Sequence, residues 1–368
     1  MADASVAGAA GSGTPPEPPE LVDWDLAVST ARRLVKAGPA TTPQEAARVV
    51  ADLRRLAAEA DEHVRRYTGL APSGPPTPVA VVDRAEWARS NAAGLRLLTG
   101  PLFGRLADKR SRPAGAVSLA VGRRVTGLQV GTVLAFLAGK VLGQYEVFLP
   151  PAEGSGRLSL VAPNIVAAER ALRVDPRDFR MWVCLHEQTH RVQFGAVPWL
   201  REHLEREIAE YVAVTDLDPA VLAERLRAVV GALTRRTGDS LLEVLQTPDQ
   251  RAVLDRVQAV MSLLEGHADQ VMDAVGPQVV PSVATIRARF EVRRAGGSPL
   301  DRVLRRLLGL DLKLQQYRQG GSFVRAVVAA VGVEAFNRVW ESPETLPTRA
   351  EIADPAAWMD RVLGRRAA

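Results

Sequence analysis

Apolar residues recur at helical spacing over most of this chain. Trp24, Leu26 and Ala27, then Val49, Val50, Leu53 and Leu56, mark helices between Asp23 and about Leu70. Thr42-Pro43-Gln44-Glu45 opens the second of them with a threonine cap, a proline at the first helical position and a glutamate that can close a capping box. Pro72 to Pro78 reads as a linker, and Ala85 to Leu98 resumes as an amphipathic helix containing Trp87. The period changes to two around the turn-rich stretch Pro150–Gly156. Alternation in Tyr145–Leu149 and Arg157–Val161 predicts a β-hairpin there. Asn164 follows it, as a helix cap or a substrate contact. Beyond this point the pattern is almost wholly helical, so the chain is expected to be mainly α with a small β-hairpin or sheet.

One stretch resists this simple scheme. Val125 to Leu142 is apolar and glycine-rich, with Gly127, Gly131, Gly139 and Gly143 at spacings of four and eight. Its length approaches that of a membrane span. Arg123 and Arg124 precede it, however, and Gln129 and Lys140 lie within it. A buried, close-packed helix is therefore the expectation, with membrane association the less favoured reading.

The chemistry concentrates in Leu185-His186-Glu187-Gln188-Thr189-His190, an H-E-x-x-H motif. Asp175-Pro176 starts a helix about three turns earlier, and Gly195 and Pro198 mark its stop. Positions i and i+4 share a helix face, so His186 and His190 can hold one metal ion together. Glu187 is placed to reach a water on that ion without ligating it, which is the arrangement of a zinc hydrolase.

A catalytic zinc site normally has a third protein ligand. Thr247-Pro248 begins a second helix, with a stripe running through Val253, Val257, Val260, Leu264, Ala268, Val271 and Val275. Glu265 and Asp269 lie four apart on its edge. Glu265 would ligate zinc, and Asp269 would accept the spare ring N–H of a zinc-bound histidine. Gly266 would let this helix approach the motif helix. His267 competes with Glu265 but lies roughly 200° round the helix from it, which suits a core residue or one supporting the ligands from behind.

These motifs resemble the glutamate-zincin pattern of thermolysin-like metallopeptidases. From about residue 80 to 364 the chain is also similar to a family of predicted zinc-dependent metalloproteases common in actinobacteria. Some of that family's members are labelled as associated with deazaflavin-coenzyme biosynthesis. The likeness is carried by His186–His190 with Gln193-Phe194, by Glu265–Asp269 with Val271-Met272-Asp273, and by Gln316-Tyr317, Gly320 and Phe323. A tail with Trp340, Pro343, Leu346-Pro347-Thr348 and Trp358 adds to it. The resemblance implies a zincin-like fold, zinc binding and a peptide or protein substrate. Peptidase versions of the helix usually carry an uncharged residue after the second histidine. Arg191 stands there instead, and must point outward or pair with an acid.

The reading that follows is a zinc hydrolase. His186, His190 and Glu265 hold Zn²⁺, and Glu187 acts as general base. Tyr317, with Arg318 behind it and Gly320-Gly321 after it, is the candidate donor to the oxyanion. The alternatives are a zinc-bearing scaffold whose site is closed by His267 or Cys184, and an amidase linked to cofactor maturation. Residues 1–20, small and polar, read as a disordered tail; 21–78 form a helical segment and linker, and 79–368 the catalytic domain. Net charge is +5 and unclustered, with no recognition helix or Cys-x-x-Cys pair, so nucleic acid is not an expected partner. The lone cysteine, Cys184, excludes an internal disulfide and reads as packing in a reducing, cytoplasmic setting. The oligomeric state is left open.

Overall fold

Helices begin where capping side chains can satisfy their first N–H groups. In the computed structural model, which describes residues 20–73, 77–108, 116–149, 156–214, 247–295 and 310–364, these starts order the chain. The Asp23 carboxylate accepts from Leu26 N at the head of α1 (Trp24–Leu34). The Thr42–Glu45 capping box opens α2 (Pro43–Thr68), which ends at Gly69 with φ 68°, a left-handed conformation suited to glycine. Then come β1 (Val79–Val82), α3 (Arg84–Asp108), α4 (Ala116–Ala138), β2 (Gly143–Glu146), β3 (Arg157–Val161) and α5 (Ala162–Leu172). The motif helix α6 (Pro176–Ala196) starts on the Asp175 cap, and α7 (Pro198–Ala213) follows directly. A second capping box, Thr247 with Gln250, opens α8 (Pro248–Val279). Next are α9 (Val283–Ala295) and α10 (Leu310–Phe336), which crosses a break at Gly332, φ 82°. Short 3₁₀ turns lead into α11 (Arg349–Ala353) and α12 (Pro355–Leu363). The predicted tail up to residue 19, residues 74–76 of the linker and 150–155 of the hairpin loop lie outside the described residues.

The hairpin forms, though its first strand is Gly143–Glu146 instead of Tyr145–Leu149. It is joined by β1, which pairs in parallel with β3, so the strand order is β1-β3-β2. Sequence pattern missed β1 because four apolar residues after a proline-rich linker carry no period. Leu158 N donates to Pro78 O on one side of β3, and Val161 N to Leu142 O on the other. With Gln144 opposite Ser159 and Glu146 opposite Arg157, Gly143 and Tyr145 turn their backbone groups away from β3, toward the edge that is free of strands among the described residues.

Tyr145, Val147 and Leu158 form a small apolar cluster on the sheet, and three larger ones join the helices around it. Leu53, Leu56, Ile165, Phe179, Leu185 and Val271 join α2, α5, α6 and α8. Leu200, Leu263, Phe323, Phe336 and Trp358 join α7, α8, α10 and the C-terminal helices. Trp24, Ala31, Trp87, Leu134 and Ala138 join α1, α3 and α4. The glycine-rich stretch is only partly the buried helix expected. A Cβ at Gly127 or Gly131 would lie 2.5 Å from Asp23 O or 2.4 Å from Ala27 O, so this face is closely packed on α1. The opposite face leaves Val121, Val125, Leu128 and Val133 exposed. Gly143 belongs to β2. Among the described residues no helix is long and apolar enough to cross a membrane.

Asn164 is neither a cap nor at the cavity. It is buried inside α5, donating to Ala138 O and Val141 O and accepting from Arg84 Nε. Gly266 allows a close approach, but to a different helix from the one expected. A Cβ there would lie 2.3 Å from the Gly320 carbonyl carbon, and one at Gly320 would lie 1.9 Å from Ser262 O. The partner of α8 at this crossing is α10, not α6. Gly266→Ala should therefore destabilise the protein by roughly 1–3 kcal/mol, through a backbone shift that overrides alanine's better helix propensity. Gly122→Ala, in open space on α4, should instead stabilise by about 0.4–1 kcal/mol. Denaturant midpoints of the two variants would show opposite signs.

Candidate metal site

The middle of α6 meets α2, β2 and α8 on three sides, each through its own set of side chains. Toward α2, Cys184, Gln188 and Arg191 follow one another at helical spacing and meet Leu53, Ala57 and Asp61. The Cys184 thiol lies 4.0 Å from Leu53 O, Gln188 Nε2 donates to Ala57 O at 2.7 Å, and Arg191 pairs with Asp61 at 3.3 Å. Arg191 also donates to Thr77 Oγ1 and Gln188 Oε1. The charge after the second histidine is thus paired with an acid and held on the far side of the helix from the motif histidines.

Toward β2, the Glu187 side chain lies against bare backbone. A Cβ on Gly143 would lie 2.6 Å from Glu187 Cγ and 3.0 Å from its Oε1, so any larger residue would push the carboxylate aside. Glu187 is 7 % exposed. Burial, with a smaller effect of the nearby Glu265 charge, pushes its pKa up to about 8. Phe194, two turns on, stacks on Tyr145 at 5.6 Å.

Toward α8, His186 and His190 present their Nε2 atoms 3.3 Å apart. Glu265 faces both, with Oε2 at 3.6 Å from His186 and Oε1 at 3.9 Å from His190. The three ligand atoms lie within 4.8 Å of one another. Tetrahedral ligands at zinc bond lengths sit roughly 3.3–3.4 Å apart, so this donor set fits a zinc ion after a small closing movement of Glu265. A cavity of about 360 Å³ opens on the cluster. One wall is Gly143–Leu149, a second is Ser90, Asn91, Gly94 and Leu95 of α3, and Phe194, Leu204, Met261 and Leu264 make the rest apolar. Its described lining includes Glu146, Glu187 and Glu265 but no lysine or arginine, an environment that favours a cation. Glu146 is already matched, accepting from Arg157, Ser90 and Ser159.

His267, the competing ligand, lies outside this group. It is buried against Phe336 and Trp340, and burial with a smaller effect of His190 lowers its pKa to about 3, so it is neutral. Cys184 faces α2; burial, with smaller effects of Glu187 and Glu59, raises its pKa. Neither closes the cluster. Asp269 lies against α10, its Oδ2 3.6 Å from where a Cβ of Gly321 would be. His190 Nδ1 faces Gln193 Oε1, at 2.9 Å. Sequence reasoning named Gln193 and Gly143 without placing either at the cluster. Gln193, three residues after His190, was on the right face to be found. Gly143 carried no local signal. Tyr317 falls on α10, one turn before Gly320, but its side chain lies outside the described residues, as does that of Arg318.

A mostly helical chain with a small mixed sheet beside a His-His-Glu cluster and an adjacent buried glutamate has the form of a zincin. The chain belongs to the zincin-like metallopeptidase family, whose sequence pattern matches residues 22–359. It is also similar to the crystal structure of a "putative hydrolase with a novel fold" from Chloroflexus aurantiacus. That similarity has 34% sequence identity and a TM-score of 0.70, and covers 94% of this chain and 100% of that one. No curated protein matches the chain. Neither likeness carries a link to deazaflavin-coenzyme biosynthesis.

Metal analysis of purified protein checks the cluster directly. About one zinc per chain is expected in wild type, lost in Glu265→Ala and kept in Cys184→Ala.

Proposed function

We propose that this protein is a zinc-dependent metallopeptidase that hydrolyses extended peptides laid along the free edge of β2. The observation that carries the reading is the convergence of three features on one cavity. These are the His186–His190–Glu265 cluster, the buried Glu187 carboxylate and the outward backbone groups of Gly143 and Tyr145. His186, His190 and Glu265 would hold the ion. When bound, zinc supplies a water acidified towards a pKa of ~7 and polarises the substrate carbonyl.

The protein's own groups do the rest. Backbone N–H and C=O of β2 orient the peptide by strand addition, which fixes its carbonyl without reading sequence. The apolar wall of Phe194, Leu204, Met261 and Leu264 receives an apolar side chain and excludes water. Glu187, held against Gly143, takes the proton from the attacking water and delivers it to the leaving amine. A cation held by the neighbouring ligands would favour its ionised form, the form a base needs. Tyr317 is the residue we assign as donor to the oxyanion, since α10 meets α8 at Gly266, next to Glu265. Asp269 is assigned a supporting role behind the ligands.

Glu187→Gln is the deciding variant, measured on a panel of peptides with apolar side chains beside the scissile bond. The expected result is a loss of about 10²–10⁴ in turnover at unchanged zinc content. Full turnover in that variant would exclude Glu187 as the base. Zinc bound in wild type with no peptide cleaved would move the scaffold reading to first place.

A further inference from the structure

We propose that Gln193, oriented by His267, is the positioning residue that sets the metal-binding tautomer of His190. This inference rests on the metal site described above and adds to it a group outside the cavity. Gln193 is fully buried and His267 is 1 % exposed, and neither lines the cavity. Their route to the reaction is through His190.

The argument turns on the two unlike ends of an amide. Gln193 Nε2 lies 3.0 Å from Leu264 O and 2.9 Å from His267 Nδ1. A peptide carbonyl only accepts, so the end of the amide facing Leu264 has to be the NH₂. Its second hydrogen then requires an unprotonated Nδ1 on His267. Turned over, the amide would set its oxygen against the Leu264 carbonyl with no hydrogen between them. Oε1 is therefore committed to His190, 2.9 Å from Nδ1. An acceptor at that distance selects the Nδ1–H tautomer, which leaves the Nε2 lone pair free. Nε2 is the atom that sits 3.3 Å from His186 Nε2 and 3.9 Å from Glu265 Oε1.

The same amide joins the two ligand-bearing helices, because Leu264 immediately precedes Glu265. One side chain thus aims a ligand on α6 and ties down the backbone beside a ligand on α8. A carboxylate is a common partner for a metal-bound histidine. Here the partner is neutral, so it orients the ring without adding negative charge to a cavity that already holds Glu187 and Glu265.

The test begins with metal-free wild-type protein carrying ¹⁵N-labelled histidine, whose two-bond proton–nitrogen correlations report each ring's tautomer. His190 is expected as Nδ1–H before any metal is added. Zinc affinity is then measured by chelator competition. Gln193→Leu should weaken it by about 10–100-fold and mix the His190 tautomers. His267→Asn, which can place an oxygen near the former Nδ1, should stay close to wild type, while His267→Phe should lose affinity. Nε2–H on His190 in the wild type, or wild-type affinity in a folded Gln193→Leu protein, would overturn the proposal. Should Gln193→Leu fail to fold, the wild-type spectrum and the His267 pair decide. Nδ1–H on His190 in a protein that binds no zinc would sink the metal site but leave the orienting role of Gln193 standing.

Discussion

The structure depends on burying a polar helix. α6 carries Glu187, Gln188, Thr189 and Gln193 at or below 7 % exposure in its central turns, where an unsatisfied group costs about 1–3 kcal/mol. Gln188, Thr189 and Gln193 each have a hydrogen-bond partner. Gln188 takes a carbonyl of α2, Thr189 bonds back to Leu185 O, and Gln193 takes a carbonyl and a histidine of α8. Glu187 rests against the backbone of β2. The hydrogen-bond partners outside α6 lie on α2 and α8, and Gly143 of β2 packs on Glu187, so together they fix the rotation and depth of α6. The aim of His186 and His190 follows from that single solution.

Charge is distributed to the same end. The arginines of the core are bound to acids away from the cluster: Arg180 to Glu169 and Asp52, Arg191 to Asp61, Arg157 to Glu146. What remains facing the cavity is a pair of carboxylates and two imidazoles. Desolvation makes two nearby anions costly, and the raised pKa of Glu187 expresses this. A bound cation relieves the same strain. Cation binding and the ionisation of Glu187 would in this sense be coupled through one pocket.

Much of this was legible along the chain because it is local. Capping boxes at Thr42 and Thr247 and the Asp175 cap place α2, α8 and α6 by chemistry acting within a single turn. The His-Glu-x-x-His spacing puts its ligands on one face of any helix. The condition on Arg191 was visible too, though not the acid that meets it. Elements defined by contact were not legible. Gly266 advertised a close approach without naming α10 as the partner, and Asn164 looked like a cap when it is an internal brace. β1 became a strand only because β3 lay beside it.

By itself, the sequence determined the helical class, the motif helix and the two histidines, because periodicity, caps and i,i+4 geometry need no distant partner. It also narrowed the candidate third ligand to Glu265 or His267, since both sit in one short helical segment. Tertiary structure alone decided which of these faces the histidines, which glycine admits the Glu187 carboxylate, and that an amide stands behind His190. Those choices rest on how far α8 is rotated against α6 and on where an edge strand stops. Both are set by packing between residues tens of positions apart, for which no local pattern exists.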